Sequence, residues 1–312
     1  MVEHSGICNA YSYDRSCGSI NLPAIQRLGS GYWVLGAFFR TFVQYLTKLP
    51  MKKTALITGG SSGLGFVFAE ELGKQGYKIF ILARDGEKLR KAVASLEEKG
   101  IEIRGISCNV SDESQLRTAF DSVKSETTNL DFLILNAGMV IPRLLSDYPD
   151  TTGIRQQIDT NLTGAILTAW QFIPLLQKGS RILITSSGFG LMGAAGYTLY
   201  CATKAGLVNF GEALRRELLN RGINVYVSCP GDMDTPQFFE EIKSSPEWMK
   251  TSSPRKTVPV SVEGRKILSQ CHGKMKFLIL PASDVKLLAI ASKILPRKLK
   301  DYLLDRMFPQ PK

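Results

Sequence analysis

The glycine-rich segment Thr58–Gly65 lies between the predicted strand Ala55–Ile57 and a predicted helix that begins near Phe66. Glycines permit a tight turn and let the backbone approach a pyrophosphate, which the free N–H groups at a helix start can bind. Strand, glycine turn and helix in this order are the context that a dinucleotide-binding motif requires. The segment therefore predicts an α/β domain that binds a dinucleotide.

Two other site types use similar glycine turns. Gly59-x-Ser61-x-Gly63 fits the turn that carries the catalytic serine of some hydrolases, but a downstream histidine is needed and only His272 is left to serve. A phosphate loop of the Walker type is excluded because Phe66 and Val67 stand where Lys and Ser/Thr belong. Dinucleotide binding is therefore the preferred interpretation.

Short β-branched runs alternate with helix-like segments along the chain after residue 52. Strands that alternate with helices form βαβ units, which build a parallel sheet covered on both faces. The fold expected is α/β, a Rossmann-type doubly wound parallel sheet of about seven strands in a single three-layer domain. The predicted strands are Thr54–Thr58, Lys78–Ala83, Ile101–Ser107, Phe132–Leu135, Arg181–Thr185, Asn224–Ser228 and Lys276–Leu280.

The pattern divides the chain into an extension (1–50), the α/β domain (51–282) and a basic tail (283–312). Within the extension, residues 32–46 form an amphipathic apolar segment that is shorter than the roughly 20 residues of a membrane span. This segment either lies on a membrane surface or packs on the domain. A third alternative is a non-essential extension, which is favoured because Met51 would itself be a natural start.

The tail combines apolar and basic residues on two helix-like segments divided by Pro296. Such helices bind anionic lipid, or they pack on their own domain or on a dimer partner, and the sequence leaves these choices open. The expected apolar face contains Val285, Leu287, Leu288, Ile290, Ile294 and Leu295, bordered by Lys286, Lys293, Arg297, Lys298 and Lys300.

The charge and the cysteines narrow the functional classes. The formal net charge is +11, but residues 274–312 hold nine Lys/Arg and three Asp/Glu, so the excess is concentrated in the tail and does not indicate nucleic-acid binding. Six cysteines without a C-x-x-C pair are typical of reduced thiols in a cytoplasmic protein, here with possible peripheral contact to membranes. Two histidines give no basis for a metal site.

The residue after the second strand indicates which dinucleotide is bound. An acidic side chain there accepts hydrogen bonds from the ribose of NAD, whereas arginine pairs with the 2′-phosphate of NADP. Arg84 occupies this position and favours NADP(H) over NAD(H), although Asp85 follows directly.

Tyr200 and Lys204 are spaced to share one face of a helix, where an ammonium can stabilise a phenolate. A Tyr and a Lys at this spacing often occur by chance, so the neighbouring motifs determine whether the pair indicates a catalytic site. Ser186-Ser187, Asn136-Ala137-Gly138 and Pro230-Gly231 each follow a predicted strand, at the sheet edge where ligands bind.

These motifs, together with Asn161, occur in an order that resembles the short-chain dehydrogenases/reductases over roughly residues 52–280. The resemblance implies four catalytic residues. Tyr200 would exchange the proton of the carbonyl oxygen, and Ser187 would hydrogen-bond that oxygen. Lys204 would bind the nicotinamide ribose and lower the pKa of Tyr200, while Asn161 would support Lys204 through a water.

The resemblance also implies a cofactor site. Asn109 departs from the family, which usually has Asp there to contact the adenine, but an amide oxygen can accept the same hydrogen bond. The implied cofactor-binding residues are Thr58, Gly59, Ser61, Ser62, Gly63, Leu64, Gly65, Arg84, Asn109, Val110, Asn136, Ala137, Gly138, Tyr200, Lys204, Pro230, Gly231, Met233 and Thr235.

The segment after Pro230-Gly231 and the tail bear on the substrate. The segment Asp232–Phe238 and the basic tail resemble the 3-ketodihydrosphingosine reductase branch, which reduces a long-chain 3-ketone with NADPH. Alternatives are a 3-oxoacyl thioester, a steroid or a small ketone, or a non-catalytic NADP(H)-binding regulator. The resemblance suggests a homo-oligomer. Aromatic and sulfur side chains of the loop after Pro236 line an apolar pocket or pack the loop down, namely Phe238, Phe239, Trp248 and Met249.

Overall fold

A computed structural model describes residues 13–14, 19–20, 52–250, 256–271 and 277–307. The chain divides into two compact units, Met1–Met51 and Lys52–Lys312. In the first unit, β1 (Tyr13–Asp14) pairs with β2 (Ser19–Ile20) in antiparallel orientation. The predicted amphipathic segment 32–46 lies outside the described residues.

The second unit is built on a seven-stranded sheet in which every pairing is parallel, as predicted. The strand order is β5-β4-β3-β6-β7-β8-β9. The strands are β3 (Thr54–Thr58), β4 (Lys78–Ala83), β5 (Ile103–Ser107), β6 (Leu130–Leu135), β7 (Leu176–Thr185), β8 (Asn224–Ser228) and β9 (Leu278–Ile279).

Helices connect the strands and cover the sheet. The first six are α1 (Gly63–Lys74), α2 (Gly86–Glu97), α3 (Glu113–Lys124), α4 (Thr152–Ile158), α5 (Gly164–Phe172) and α6 (Thr198–Glu217). They are followed by α7 (Pro236–Ser244), α8 (Val260–Gln270), α9 (Ser283–Ile294) and α10 (Arg297–Met307).

Several predicted boundaries were wrong by a few residues. The strand expected at Ile101–Ser107 starts at Ile103, and those expected from Phe132 and Arg181 start earlier, at Leu130 and Leu176. A register irregularity between Leu130 and Phe132 explains the early starts, since Leu130 pairs with Leu176 ahead of the regular ladder. The edge strand expected at Lys276–Leu280 pairs through only two residues.

The core lies on both faces of the sheet because successive side chains of a strand point in opposite directions. In β3, Leu56 joins the hydrophobic cluster under α3, α5 and α6, whereas Ala55 and Ile57 join the cluster under α1, α2 and α8. All five residues of β3 are buried, as expected for a central strand covered on two sides.

The order of the strands places a crevice at the carboxyl end of β3. From β3 the chain proceeds through β4 to β5 at one edge, then returns to β6 on the other side of β3. Connections that diverge in this way leave a crevice between the two neighbouring strand ends, which is where ligands bind in doubly wound sheets. The ends of β3 and β6 are therefore the expected floor of a site.

The helices in the described ranges are all too short or too polar to cross a bilayer.

Candidate active site

The glycine turn after β3 has the geometry needed to receive a phosphate. Gly59 and Gly63 have positive φ angles of 67° and 53°, a conformation that glycine adopts without strain. At Gly65 a Cβ atom would lie 2.2 Å from the carbonyl oxygen of Gly59, so only glycine fits. The helix begins at Gly63 rather than near Phe66, because extended Ser62 precedes it. No acidic side chain stands in the first turn to repel an anion.

Thr58 and Asn136 hold this turn against the neighbouring strand. The Thr58 hydroxyl accepts hydrogen bonds from the backbone N–H groups of Asn136 and Ala137, at 2.9 and 3.0 Å. The side-chain amide of Asn136 donates to the carbonyl oxygens of Thr58 and Gly59. The ends of β3 and β6 are thereby fixed to each other at the crevice.

A cleft of about 480 Å³ runs along the carboxyl edge of the sheet and brings most of the predicted site residues together. Those lining it are Gly59, Ser61, Ser62, Gly63, Leu64, Arg84, Asn109, Val110, Asn136, Ala137, Gly138, Ser187, Tyr200, Lys204, Pro230, Gly231, Met233 and Thr235. Thr58, Gly65 and Asn161 are buried and do not line the cleft. Further lining residues that sequence reasoning did not select include Lys88, Thr160, Thr185, Ser186, Gln237 and Glu240.

One end of the cleft is basic. Arg84 is exposed after β4, and Lys88 lies one turn further along in α2. Between them, the Asp85 carboxylate caps α2 by accepting the N–H groups of Glu87 and Lys88, both at 3.1 Å. These hydrogen bonds lower the pKa of Asp85. The other oxygen of Asp85 lies 3.7 Å from the Lys88 ammonium, so Arg84 and Lys88 share this end of the cleft with one carboxylate.

Asn109 lines the same end of the cleft, but it also forms hydrogen bonds with nearby residues of the chain. Its side-chain oxygen accepts hydrogen bonds from the backbone N–H and the hydroxyl of Ser111. Its backbone N–H donates to the Gln115 side chain at 2.8 Å. An adenine amino group would therefore compete with Ser111 for the amide oxygen.

Lys204 is buried at the opposite end of the cleft, on the helix that also carries Tyr200. Its Nζ donates to the carbonyl oxygen of Thr185 at 2.9 Å and lies 5.5 Å from the centre of the Tyr200 ring. Burial lowers the pKa of Lys204 to about 8, well below the usual range of a lysine. The helix spacing thus brings the two side chains together as predicted from sequence.

The hydroxyl of Tyr200 is a weaker acid here than a free phenol. Burial, followed by the negative charge of Glu241, raises its pKa, and hydrogen bonding with Ser187 opposes the shift. The sequence interpretation expected Lys204 to lower this pKa. Desolvation is the largest effect on this pKa, and the Lys204 ammonium donates its hydrogen bond to Thr185, so a role of Lys204 in lowering the pKa of Tyr200 stays a prediction.

Asn161 is fully buried in a π-helical turn, Asp159–Thr163, between α4 and α5. Its side chain accepts from the N–H of Met139 at 2.7 Å and donates to the carbonyl oxygen of the same residue at 2.8 Å. It also donates to the Thr203 hydroxyl at 3.2 Å, and that hydroxyl donates to the carbonyl oxygen of Tyr200. Asn161 therefore connects the loop after β6 with the turn that carries Tyr200 and Lys204.

Ser187 directly follows β7 and is oriented by its neighbour. Its Oγ accepts the N–H of Phe189 at 3.2 Å, and the same hydroxyl is hydrogen-bonded with Tyr200. The adjacent Ser186 has a different task, since its hydroxyl donates to the carbonyl oxygen of Lys204 at 2.8 Å. Sequence reasoning could not separate these roles, because both serines follow the same strand.

The segment after β8 closes one side of the cleft. Thr235 caps α7 by accepting the N–H of Phe238, and its methyl group lies in contact range of Gly63. Of the predicted pocket side chains, Phe238 is buried and Phe239 is exposed. Trp248 and Met249 lie against Gly196, before α6. The last two therefore pack the loop down.

One side of α9 in the tail packs on the domain. Val285 and Ala289 of α9 are buried, and Val285 lies beside Gly188 and Gly231 at the strand ends. Leu287 and Ile294 are 70% and 74% exposed. The predicted single apolar face was therefore wrong, because Val285 points inward and Leu287 and Ile294 point outward.

The four cysteines in the described ranges are unpaired and buried. Burial raises the pKa of the Cys108 and Cys229 thiols to about 11 and that of Cys271 to about 12. They stay protonated near neutral pH, so none is a nucleophile for this cleft.

Comparison with known proteins identifies the group to which this arrangement belongs. The family model described as short chain dehydrogenase matches residues 53–245. The 3-dehydrosphinganine reductase TSC10B of Arabidopsis thaliana is 34% identical over 241 residues, which cover 72% of this chain and 71% of that protein. The 3-oxoacyl-[acyl-carrier-protein] reductase FabG of Staphylococcus aureus is 34% identical over 66% of this chain and 85% of its own.

Solved structures agree with the fold. A variant of actinorhodin polyketide ketoreductase with NADPH is 27% identical, with a TM-score of 0.67 over 73% of this chain and 95% of that chain. A short chain dehydrogenase from Burkholderia cenocepacia in complex with NADP is 20% identical, with a TM-score of 0.68 over 81% and 98% of the two chains.

Proposed function

This chain belongs to the short-chain dehydrogenase/reductase family, and on that premise we propose that it is an NADP(H)-dependent oxidoreductase that reduces the ketone of a long-chain 3-keto lipid. The observation that carries the proposal is the meeting of Ser187, Tyr200 and Lys204 in the cleft that begins at the glycine turn.

The residues present fit a dinucleotide. The Gly59–Gly65 turn would receive the pyrophosphate, and Lys204 would bind the nicotinamide ribose. Arg84 and Lys88 would pair with the 2′-phosphate that distinguishes NADP from NAD. When bound, NADPH supplies the hydride.

The chain itself supplies the proton and the positioning. Ser187 would donate a hydrogen bond to the carbonyl oxygen of the substrate, and Tyr200 would deliver the proton to that oxygen as it becomes an alcohol. Positive charge near the phenol stabilises its deprotonated form, so Lys204 must face the Tyr200 oxygen during this step. Asn161 is a positioning residue, since it holds the turn between them through Thr203.

The choice of a long-chain 3-keto lipid is supported by the relative from Arabidopsis, whose printed name is that of a 3-dehydrosphinganine reductase. A 3-oxoacyl thioester is the second candidate, because the Staphylococcus relative is a 3-oxoacyl-[acyl-carrier-protein] reductase. The exposed apolar side chains on the tail favour the lipid.

The proposal includes contact with a membrane surface. Leu287, Ile290 and Ile294 are exposed on the outer face of α9, and Lys286 and Lys298 are exposed close to them in the chain. Apolar side chains beside cations are the composition that binds anionic lipid. A substrate with a long alkyl chain would be met at that surface.

A homo-oligomer is also proposed. Ile166 and Trp170 are 38% and 63% exposed on α5, the helix that follows Asn161. A large exposed aromatic side chain is typical of a protein interface.

The proposed activity is tested with purified protein by following NADPH absorbance with 3-ketosphinganine in detergent, and with NADH in parallel. The wild-type protein should oxidise NADPH faster than NADH. Tyr200→Phe should lower kcat/KM by about 100-fold or more while NADPH still binds, because the proton donor is lost. The exposed Tyr302→Phe is the matched control and should retain activity.

Full activity of Tyr200→Phe would contradict the catalytic assignment. Activity on small ketones or 3-oxoacyl thioesters, with none on the lipid, would keep the reductase and reject the lipid as its substrate.

A further inference from the structure

Three consecutive residues at the end of β7 carry hydroxyl groups at the floor of the cleft. Ser186 donates to the carbonyl oxygen of Lys204, and Ser187 is hydrogen-bonded with Tyr200. The Thr185 hydroxyl differs from these two, because its oxygen is buried and has no hydrogen-bond partner among the described residues. Thr185 is 8% exposed and lines the cleft.

An unpaired buried hydroxyl is unfavourable, because it gives up hydrogen bonds to water and gains none in return. Within the described ranges, four buried side-chain atoms lack a partner, and they belong to Thr185, Arg215, Ser228 and Glu263. Of these four residues, Thr185 is the one that lines the cleft. A molecule bound in the cleft can therefore supply the partner that the Thr185 hydroxyl lacks.

The direction of the Thr185 side chain follows from the alternation along β7. Ile184 belongs to the hydrophobic cluster under α3, α5 and α6, and the Ser186 hydroxyl reaches the backbone of α6. Leu183 belongs to the cluster on the other face of the sheet, under α1, α2 and α8. Thr185 shares the face of Leu183, which is the face on which α1 follows the glycine turn.

The backbone of Thr185 places the residue at the nicotinamide end of the cleft. Its carbonyl oxygen accepts a hydrogen bond from the Nζ of Lys204 at 2.9 Å, and Lys204 is the residue assigned to the nicotinamide ribose. A dinucleotide that extends from the glycine turn to Lys204 would therefore bring its nicotinamide ring to Thr185. The carboxamide is the hydrogen-bonding substituent of that ring.

We propose that Thr185 is a further cofactor-binding residue, whose hydroxyl forms a hydrogen bond with the carboxamide of the nicotinamide. This inference rests on the proposed function and adds a contact on the ring itself to those on the phosphates and the ribose. A hydroxyl both donates and accepts, so it can pair with the carbonyl oxygen or with the N–H groups of an amide. The contact would hold the ring in one orientation about its bond to the ribose.

The test measures binding of two ligands to purified protein by calorimetry, NADP⁺ and its analogue in which a hydrogen replaces the carboxamide. Wild-type protein should bind NADP⁺ more tightly than the analogue. Thr185→Val removes the hydroxyl and nearly keeps the shape of the side chain. It should weaken NADP⁺ by about 5- to 20-fold and leave the analogue within about 2-fold. Thr185→Ser, which keeps a hydroxyl, should retain most of the affinity for NADP⁺.

Ser228 provides the matched control. It is the cross-strand partner of Thr185 in β8 and also has a buried, unpaired hydroxyl, but it does not line the cleft. Ser228→Ala should therefore leave the binding of both ligands within about 2-fold of wild type.

Thermal unfolding of the ligand-free proteins gives a second readout. Thr185→Val should unfold at the same temperature as wild type or at a higher one, because a methyl group replaces an unpaired buried hydroxyl. A lower unfolding temperature would overturn the inference, since it would show that the chain itself uses this hydroxyl.

Unchanged affinity of Thr185→Val for NADP⁺, or equal losses for both ligands, would also overturn the contact while leaving the reductase proposal intact. If wild-type protein bound neither ligand, the proposed function would fail together with the inference.

Discussion

At the scale of single residues, the burial of the Lys204 ammonium is unfavourable for the folded protein. Lys204 is 4% exposed and its ammonium meets only the Thr185 carbonyl among the hydrogen bonds described. A buried cation with one neutral partner is poorly compensated for the loss of water. The lowered pKa of Lys204 reports this cost, which negative or polar groups of a dinucleotide would reduce.

The pKa of Lys204 predicts a pH dependence of stability. Because its value in the folded protein, about 8, lies below that of an ordinary lysine, the unfolded chain binds more protons between these values. The free energy of unfolding should therefore rise with pH in this window. Relative to Lys204→Met, cofactor-free wild-type protein should gain about 2 kcal/mol between about pH 7.5 and 9.5.

Urea unfolding at several pH values measures this difference. The Cys229 thiol, whose pKa burial raises to about 11, is present in both proteins, so its own contribution cancels in the difference between wild type and variant. A constant difference between wild type and variant across the window would show that Lys204 titrates as an ordinary lysine.

Individual site residues could be predicted from sequence where a motif fixes them locally. The four-residue spacing of Tyr200 and Lys204 places them on one helix face in any α-helix. The partners of Asn161 could not be predicted, because they depend on a π-helical turn that brings Met139 and Thr203 to the same side chain.

At the scale of secondary structure elements, the contact between α6 and the sheet sets the position of the catalytic helix. Gly211 faces β8, and a Cβ there would lie 2.4 Å from Val227 and 3.0 Å from Ile184. Both neighbours are fully buried in the core and have little room to move. The helix can approach the strand this closely because the residue has no side chain.

Gly211→Ala should therefore destabilise the protein. Overpacking costs about 1–3 kcal/mol, and the better helix propensity of alanine returns at most about 1 kcal/mol, so a net loss of about 1–2 kcal/mol is expected. Gly193→Ala is the control, since nothing lies within 4 Å of its added Cβ. Thermal or urea unfolding of the two variants measures the effect, and equal stability of both would show that α6 can shift at no cost.

The bounds of short apolar strands between clear turns were predicted closely, and the bounds of the other strands were not. β3, β4 and β8 have the expected bounds because each is a short apolar run between clear turns. The start of β7 was missed because its first residues, Leu176–Ser180, are mostly polar and extend only to reach Leu130. Such pairing depends on the neighbouring strand and leaves no periodic signal in the segment itself.

At the scale of the whole molecule, the outer face of α9 is the strongest candidate for attachment to a surface. It presents Leu287 and Ile294 with most of their side chains exposed, and the surrounding tail carries an excess of basic residues. The sequence predicted an apolar and basic tail, but it could not predict which side faces the domain. That depends on where the strand ends leave space for Val285.

Membrane attachment is tested by flotation with vesicles that contain phosphatidylserine or only neutral lipid. Wild-type protein should float with the anionic vesicles. The double variant Leu287→Asp and Ile294→Asp should bind at least about 10-fold less, because two apolar side chains are lost from the lipid contact. Leu219→Asp, which changes a 61% exposed leucine elsewhere, should bind like wild type. Equal flotation of wild type and double variant would rule out this face as the attachment site.

The inner face of α9 packs on the domain and therefore has a different role from the outer face. Val285 fills the space beside Gly188 and Gly231, the glycines of the two loops that follow β7 and β8. A truncation that ended at residue 282 would remove this contact. Single substitutions on the outer surface of the helix should therefore alter only the proposed lipid attachment, whereas deleting the helix would also remove the packing of Val285 against Gly188 and Gly231.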